Sequence, residues 1–205
     1  MNAEALAALI TAIFTSIVGP IAVHYAKAAV ESRKKKKDPL SESIMVNHMI
    51  TEKLEKVREQ FESDRIWLLQ FHNGGHFYPT GKSIQKFSMV YELLSPSVVP
   101  CQHQFQNIPV SLFSKAINQL HSGNTVSVIS VDPTLNVNGG FTTEIAGSGV
   151  RSSYIVPIFN IKGEFVGIVG MDYVEDGKEL TAENISDLGL EISTIGGVLN
   201  DYLKG

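Results

Sequence analysis

The chain has 205 residues, 43% of them hydrophobic, and a net charge of −4. That is apolar material enough for one ordinary domain plus an appendage, so a disordered chain is excluded. No excess of basic residues marks a nucleic-acid binder, and the one cysteine, Cys101, excludes an intramolecular disulfide and a cysteine-built zinc site.

The amino-terminal segment differs from the rest. "ALAALITAIFTSIVGPIAV", from Ala5 to Val23, carries no charged residue, and it is close to the ~20 residues that cross a bilayer as a helix. "HYAKAAVESRKKKKD" follows directly. A basic cluster on one side of an apolar span predicts that side to be cytoplasmic. The expectation is a single transmembrane helix with its amino terminus outside, kinked at Gly19-Pro20. Lys34 to Lys37 then act as a stop signal or hold anionic headgroups. A helix packed inside a soluble assembly is the other reading of the same residues. Residues 1–37 form this anchor with its basic segment, and residues 38–205 form the folded domain.

Asp38 and Pro39 read as the cap and first position of a helix running to about Ser63. "RIWLLQF" (65–71) is an apolar run of strand length. "KFSMVYELL" (86–94) alternates, which places Phe87, Met89, Tyr91 and Leu93 on one face. "VSLFSKAINQLHSGN" reads as a helix closed by Gly123. "TVSVISV" (125–131) is a strand rich in branched residues. "SYIVPIFN" and "EFVGIVGMDY" flank "IKG" as a hairpin. Thr181 caps the last helix, and Leu180 and Ile185 form a hydrophobic staple. Its stripe of Ile185, Leu188, Ile192, Ile195, Leu199 and Tyr202 has the spacing of a coiled-coil seam. This order predicts an α+β domain, an antiparallel sheet with its helices on one face.

"GSGVRSSYIVPIFNIKGEFVGIVGMDYVED", followed by "LTAENISDLGLEISTIGGVL", resembles the carboxy-terminal half of a GAF domain. "AINQLHSGNTVSVISVD" resembles that family's central helix and strand, and "IWLLQFHNGG" with "SMVYE" resembles its first two strands. The resemblance covers roughly residues 40 to 205. It implies a small-molecule sensor or dimerisation module, whose ligand lies between the sheet and covering loops. Here those loops are 72–85 and 132–150. The implied wall holds Tyr91 and Asp172 on the sheet, with Phe77, Tyr78, Phe141, Thr142 and Arg151 above. Loop 132–150 has no cysteine to attach a bilin, and the cyclic-nucleotide signature of the family is absent.

"FHNGGHFYPTG" (71–81) is the oddest stretch. His72 and His76 have the spacing that binds zinc on a helix, but Gly74 and Gly75 make a helix there improbable. Glu92, Asp172 and His103 are further ligand types, yet no metal motif is present. No nucleophile signature accompanies the histidines. The stretch is then either a pocket rim, with His72, Asn73 and His76 facing a ligand, or structural, with His72 hydrogen-bonded in the core. Cys101 lacks a resolving partner and reads as inert packing.

The function expected is a membrane-anchored, GAF-like module that senses a small molecule and dimerises, without an output domain of its own. It is not an enzyme, and it needs no cofactor. The alternative is a ligand-free, membrane-tethered oligomerisation scaffold, of the kind a phage encodes for assembly or lysis. Expected partners are a second copy of the chain (through the helices 40–63 and 181–204), the lipid bilayer and an unknown small molecule, with no nucleic acid.

Overall fold

The computed structural model describes residues 16, 19–33, 39–77, 79–129, 149–174 and 177–202. The chain divides into two compact units, Met1–Glu42 and Ser43–Gly205. The first contains helix α1, Gly19–Arg33. Among the described residues, no helix is long and apolar enough to cross a membrane. Most of the expected span Ala5–Val23 lies outside the described residues, as do Lys34–Lys37.

Helix α2, Pro39–Phe61, leads into the sheet. The strands are β1 (Arg65–His76), β2 (Ser83–Leu94), β3 (Ile108–Pro109), β4 (Val126–Ile129), β5 (Ser152–Phe159) and β6 (Phe165–Tyr173). Helix α3, Ser114–His121, precedes β4, and helix α4, Ala182–Tyr202, follows β6. The six strands are ordered β3-β2-β1-β6-β5-β4, and the described pairings are antiparallel. The α+β sheet expected from the sequence is therefore present.

The helices, however, do not share one face. Val46, Ile50, Leu54 and Val57 of α2 join Leu188, Ile192, Ile195 and Leu199 of α4 over Ile66, Leu68, Val169 and Met171. Phe113, Ala116 and Leu120 pack on the opposite side, over Trp67, Leu69, Ile155 and Ile168. The reason lies in β1 and β6. Neighbouring strand residues point to opposite faces, and both of these central strands bury apolar side chains on each, so one layer of helices cannot cover them.

The expected seam of α4 proves to be internal. Ile195 and Leu188 are fully buried against the chain's own sheet. A Cβ at Gly196 would overlap the Phe159 carbonyl oxygen, so glycine there lets the helix approach β5. The start of α4 is as the sequence implies. Asn184 N–H donates to Thr181 Oγ1 at 3.2 Å, and Leu180 and Ile185 join the same core. Tyr154 fixes the approach to the helix: its hydroxyl accepts from Leu180 N–H at 2.7 Å and donates to the Lys178 carbonyl at 3.0 Å.

Two further expectations are corrected. Strand β1 runs on through "HNGGH" to His76, and β2 begins at Ser83. Residues 72–85 are thus chiefly two hairpin arms rather than a covering loop. Regular alternation also fails in β2. Leu68 faces Tyr91 while Leu69 faces Met89, so Val90 is the extra residue of a β-bulge. The bulge reverses the phase of the strand. Phe87 and Met89 lie in the α3-side core, whereas Tyr91 and Leu93 pack toward α2 and α4.

The glycines of α4 make a paired test. Gly196→Ala should lower the melting temperature, because the added methyl meets backbone. Gly189 has open space around its Cβ position. Gly189→Ala should therefore stabilise the protein by about 0.5–1 kcal/mol in urea titrations, the usual gain from removing a helix-interior glycine. Equal effects of the two substitutions would contradict the packing described.

Candidate functional site

The expected site residues fall into three separate places. The first is the β1–β2 hairpin. His72 Nε2 lies 2.9 Å from Ser88 Oγ. Asn73 is exposed, and its Oδ1 accepts from Ser83 Oγ and Gln85 Nε2, both at 3.0 Å. His76 is exposed and pairs with Ser83. Phe77 is exposed, and its N–H donates to the Lys82 carbonyl at 2.8 Å. The hairpin accounts for these groups by its own ladder and turn. Arg151 is also exposed, at the entry to β5, where its N–H donates to the Tyr173 carbonyl at 2.7 Å. Tyr78, Phe141 and Thr142 lie outside the described residues, as does most of loop 132–150.

The second place is a buried charge network on the α3 side of the sheet. Arg65 and Asp172 are each 1% exposed. Arg65 Nη1 donates to Asp172 Oδ2 at 3.2 Å, and Nη2 donates to the Val99 carbonyl at 2.8 Å. Asp172 also accepts from Trp67 Nε1 at 2.9 Å and from Ser153 Oγ at 2.7 Å. Glu92 completes the set. It accepts from the N–H groups of Cys101 and Gln102, both at 2.9 Å, and from the Cys101 thiol at 3.2 Å. Arg65 Nε lies 3.4 Å from Glu92 Oε1, an ion-pair contact that lacks hydrogen-bond geometry.

This arrangement joins β1, β2 and β6 and clamps the segment around Val99–Gln102 onto the sheet. Burial pushes the Asp172 carboxyl above its ordinary range, opposed by the Ser153 bond and the Arg65 charge. Burial likewise pushes the Cys101 thiol up to about 12, reinforced by its bond to Glu92. A thiol held neutral is a poor nucleophile. The Trp67 indole closes the network from above, and it lies so near Gly170 that a Cβ there would overlap the ring. Asp172 is thus a core anchor rather than an open pocket wall. Among the described residues, no group of three or more His, Cys, Asp or Glu is placed to hold a metal, so His72, His76, His103, Glu92 and Asp172 do not converge.

The third place is an open pocket of about 380 Å³ on the other face of the sheet. Its polar lining is Ser43 and Asn47 of α2, Gln70 of β1 and Tyr91 of β2. Its apolar lining is Ile50, Val90 and Leu199. The Tyr91 hydroxyl donates to Asn47 Oδ1. The bulge is what builds this wall, since it lets both Val90 and Tyr91 border the same space. Tyr91 and Asp172, expected together, therefore lie on opposite faces. The volume is within the ~300–1,000 Å³ typical of small-molecule sites. Sequence reasoning missed Ser43, Asn47, Gln70 and Val90. Gln70 carried a signal, being the one polar residue within "IWLLQF", but a bulge has none in an alternating run.

No family model and no curated protein matches the sequence. Solved structures do. A GAF domain from Synechocystis sp. PCC6803 in its photoproduct state aligns with a TM-score of 0.59 at 13% identity, over 78% of this chain and 96% of that one. The PixJ GAF domain of Thermosynechococcus elongatus, in its blue-light-absorbing form, gives 0.61 at 16% identity, over 80% and 90%. A GAF domain/HD domain protein from Geobacter sulfurreducens gives 0.57 at 13% identity, over 78% and 95%. At these identities the likeness establishes architecture alone: the chain has a GAF-like α+β fold.

Two outcomes follow from the network. Arg65→Met should cost about 3–5 kcal/mol in urea unfolding, because it strands two buried carboxylates without their cation. The neutral Cys101 thiol stabilises the fold fully below its ordinary pKa of 9.0, and that stability is lost as pH rises toward about 12. The unfolding free energy should therefore fall between pH 9 and 11, and Cys101→Ala should shrink that fall. An unchanged slope would show that the thiol is not held neutral.

Proposed function

We propose that the chain is a GAF-like module that binds a small molecule and self-associates while tethered to a membrane. The observation that carries this reading is the open pocket where α2, α4 and the sheet meet. A ligand seated there touches both flanking helices, so occupancy changes how they pack. Action by binding, not catalysis, fits a chain whose charged groups on the α3 side are sealed.

Self-association must use a surface other than the expected seam, which is buried. The outward faces of the helix pair remain. Ile44, Met45 and Met49 of α2 and Leu190 of α4 are exposed apolar residues. Lys56 Nζ bridges to Glu191 at 3.1 Å and Lys53 Nζ to Thr194 Oγ1 at 3.1 Å, which holds the two helices side by side. Two such pairs related by a two-fold axis would close a four-helix bundle. Tethering through Ala5–Val23, with the basic segment and the domain on the cytoplasmic side, would raise the effective concentration.

A ligand-free scaffold is the second reading. It is favoured by the α3-side core, where Trp67, Phe87, Phe105 and Phe113 fill the space over the sheet.

Native mass spectrometry of the full chain in detergent tests the proposal. The expected result is a dimer that carries a small molecule. Leu190→Glu should yield monomer, whereas Ile195→Glu should unfold the domain. A monomeric parent without bound mass would overturn the reading, and a dimer without bound mass would support the scaffold.

A further inference from the structure

The chemistry of the Tyr91 pocket restricts what can occupy it. Among its described lining residues none is charged. A charged ligand would lose hydration there without meeting an opposite charge, which is costly. The polar groups are instead two carboxamides and two hydroxyls. Each carboxamide offers a donor and an acceptor side by side. The group complementary to such an edge is another neutral donor–acceptor edge. Ile50, Val90 and Leu199 supply an apolar wall for the body of the molecule.

The bond between Tyr91 and Asn47 adds a second constraint. It joins the sheet to α2 across the pocket. Asn47 is exposed and Gln70 half-buried, so a ligand edge that reaches both amides competes with this bond. Binding then exchanges a sheet-to-helix contact for contacts to the ligand, and the exchange is felt by α2.

We propose, resting on the sensing reading above, that this pocket takes a small uncharged molecule with an amide-type edge, of the class of carboxamides, lactams and nucleobases. The site lies on the helix-pair face of the sheet, opposite the Arg65–Asp172 network. The bulge at Val90 defines it: without the extra residue Val90 and Tyr91 would not both border the pocket.

Benzamide and benzoate are matched probes, alike in ring and size but differing in charge. Proton–nitrogen NMR of the full chain in detergent should show benzamide shifting the side-chain amides of Asn47 and Gln70, with a Kd at least tenfold below that of benzoate. Gln70→Leu should weaken benzamide at least fivefold while leaving the melting temperature in place. Should that variant misfold, Gln70→Glu should lose benzamide likewise. Benzoate binding as tightly as benzamide would overturn the proposal, as would unchanged benzamide binding by a folded Gln70 variant. Benzamide shifts confined to the neighbourhood of Phe105 and Phe113 would overturn this site but leave small-molecule sensing standing. No shift from either probe, nor from a fragment panel of mixed charge, would overturn both.

Discussion

The Arg65 guanidinium stands where β1, β2 and β6 meet, with Asp172 on one side and Glu92 on the other. Taking one cation and two carboxylates out of water is tolerable only if nearly every polar atom finds a partner. Trp67, Ser153 and the N–H groups of Cys101 and Gln102 are those partners. The demand fixes much else. It orients the indole over Gly170, holds the segment around Val99 down, and keeps Cys101 neutral beside Glu92. The α3 side of the sheet is thereby sealed around the network.

With that side fixed, the accommodating part of the domain is the other face. There the sheet meets two long helices rather than a charge cluster. The bulge at Val90 interrupts the ladder of β2, and the helices do not fill the space left above it. The contact of Tyr91 with Asn47 is a single hydrogen bond between a strand and a helix. Such a contact contributes on the order of 1 kcal/mol, a magnitude that a bound molecule can offset. In the proposed role, a molecule bound between the ends of α2 and α4 would alter how the two helices pack, and their outward faces carry the exposed residues Ile44, Met45, Met49 and Leu190.

Local patterns were readable where one principle acted alone. Thr181, Leu180 and Ile185 marked the start of α4, the branched run "TVSVISV" marked β4, and the turn at "IKG" marked the β5–β6 hairpin. The α+β class followed from their order, and the GAF-like resemblance from the stretches "GSGVRSSYIVPIFNIKGEFVGIVGMDYVED" and "LTAENISDLGLEISTIGGVL". Three features were not readable. Alternation in "KFSMVYELL" carries no sign of the bulge and places Tyr91 on the face of Met89. The stripe of α4 has the same spacing whether it meets its own sheet or another chain, and burial of Ile195 decided for the sheet. The partners of Asp172 lie far away in sequence, at Arg65, Trp67 and Ser153. A hint was present all the same: Arg65 opens an apolar strand and Asp172 interrupts another, and buried charges require a counterpart. Three of the seven residues of the expected ligand wall, Tyr78, Phe141 and Thr142, fall on residues that the structure does not describe.

On the reading proposed above, a ligand in the Tyr91 pocket is sensed by the helix pair. Hydrogen exchange of the full chain with and without saturating benzamide measures this directly. Exchange should slow in the Ser43–Ile50 turns of α2 and in the last turns of α4 near Leu199, with α3 unchanged. Protection confined to α3 and the segment around Val99, with the helix pair unaffected, would contradict it.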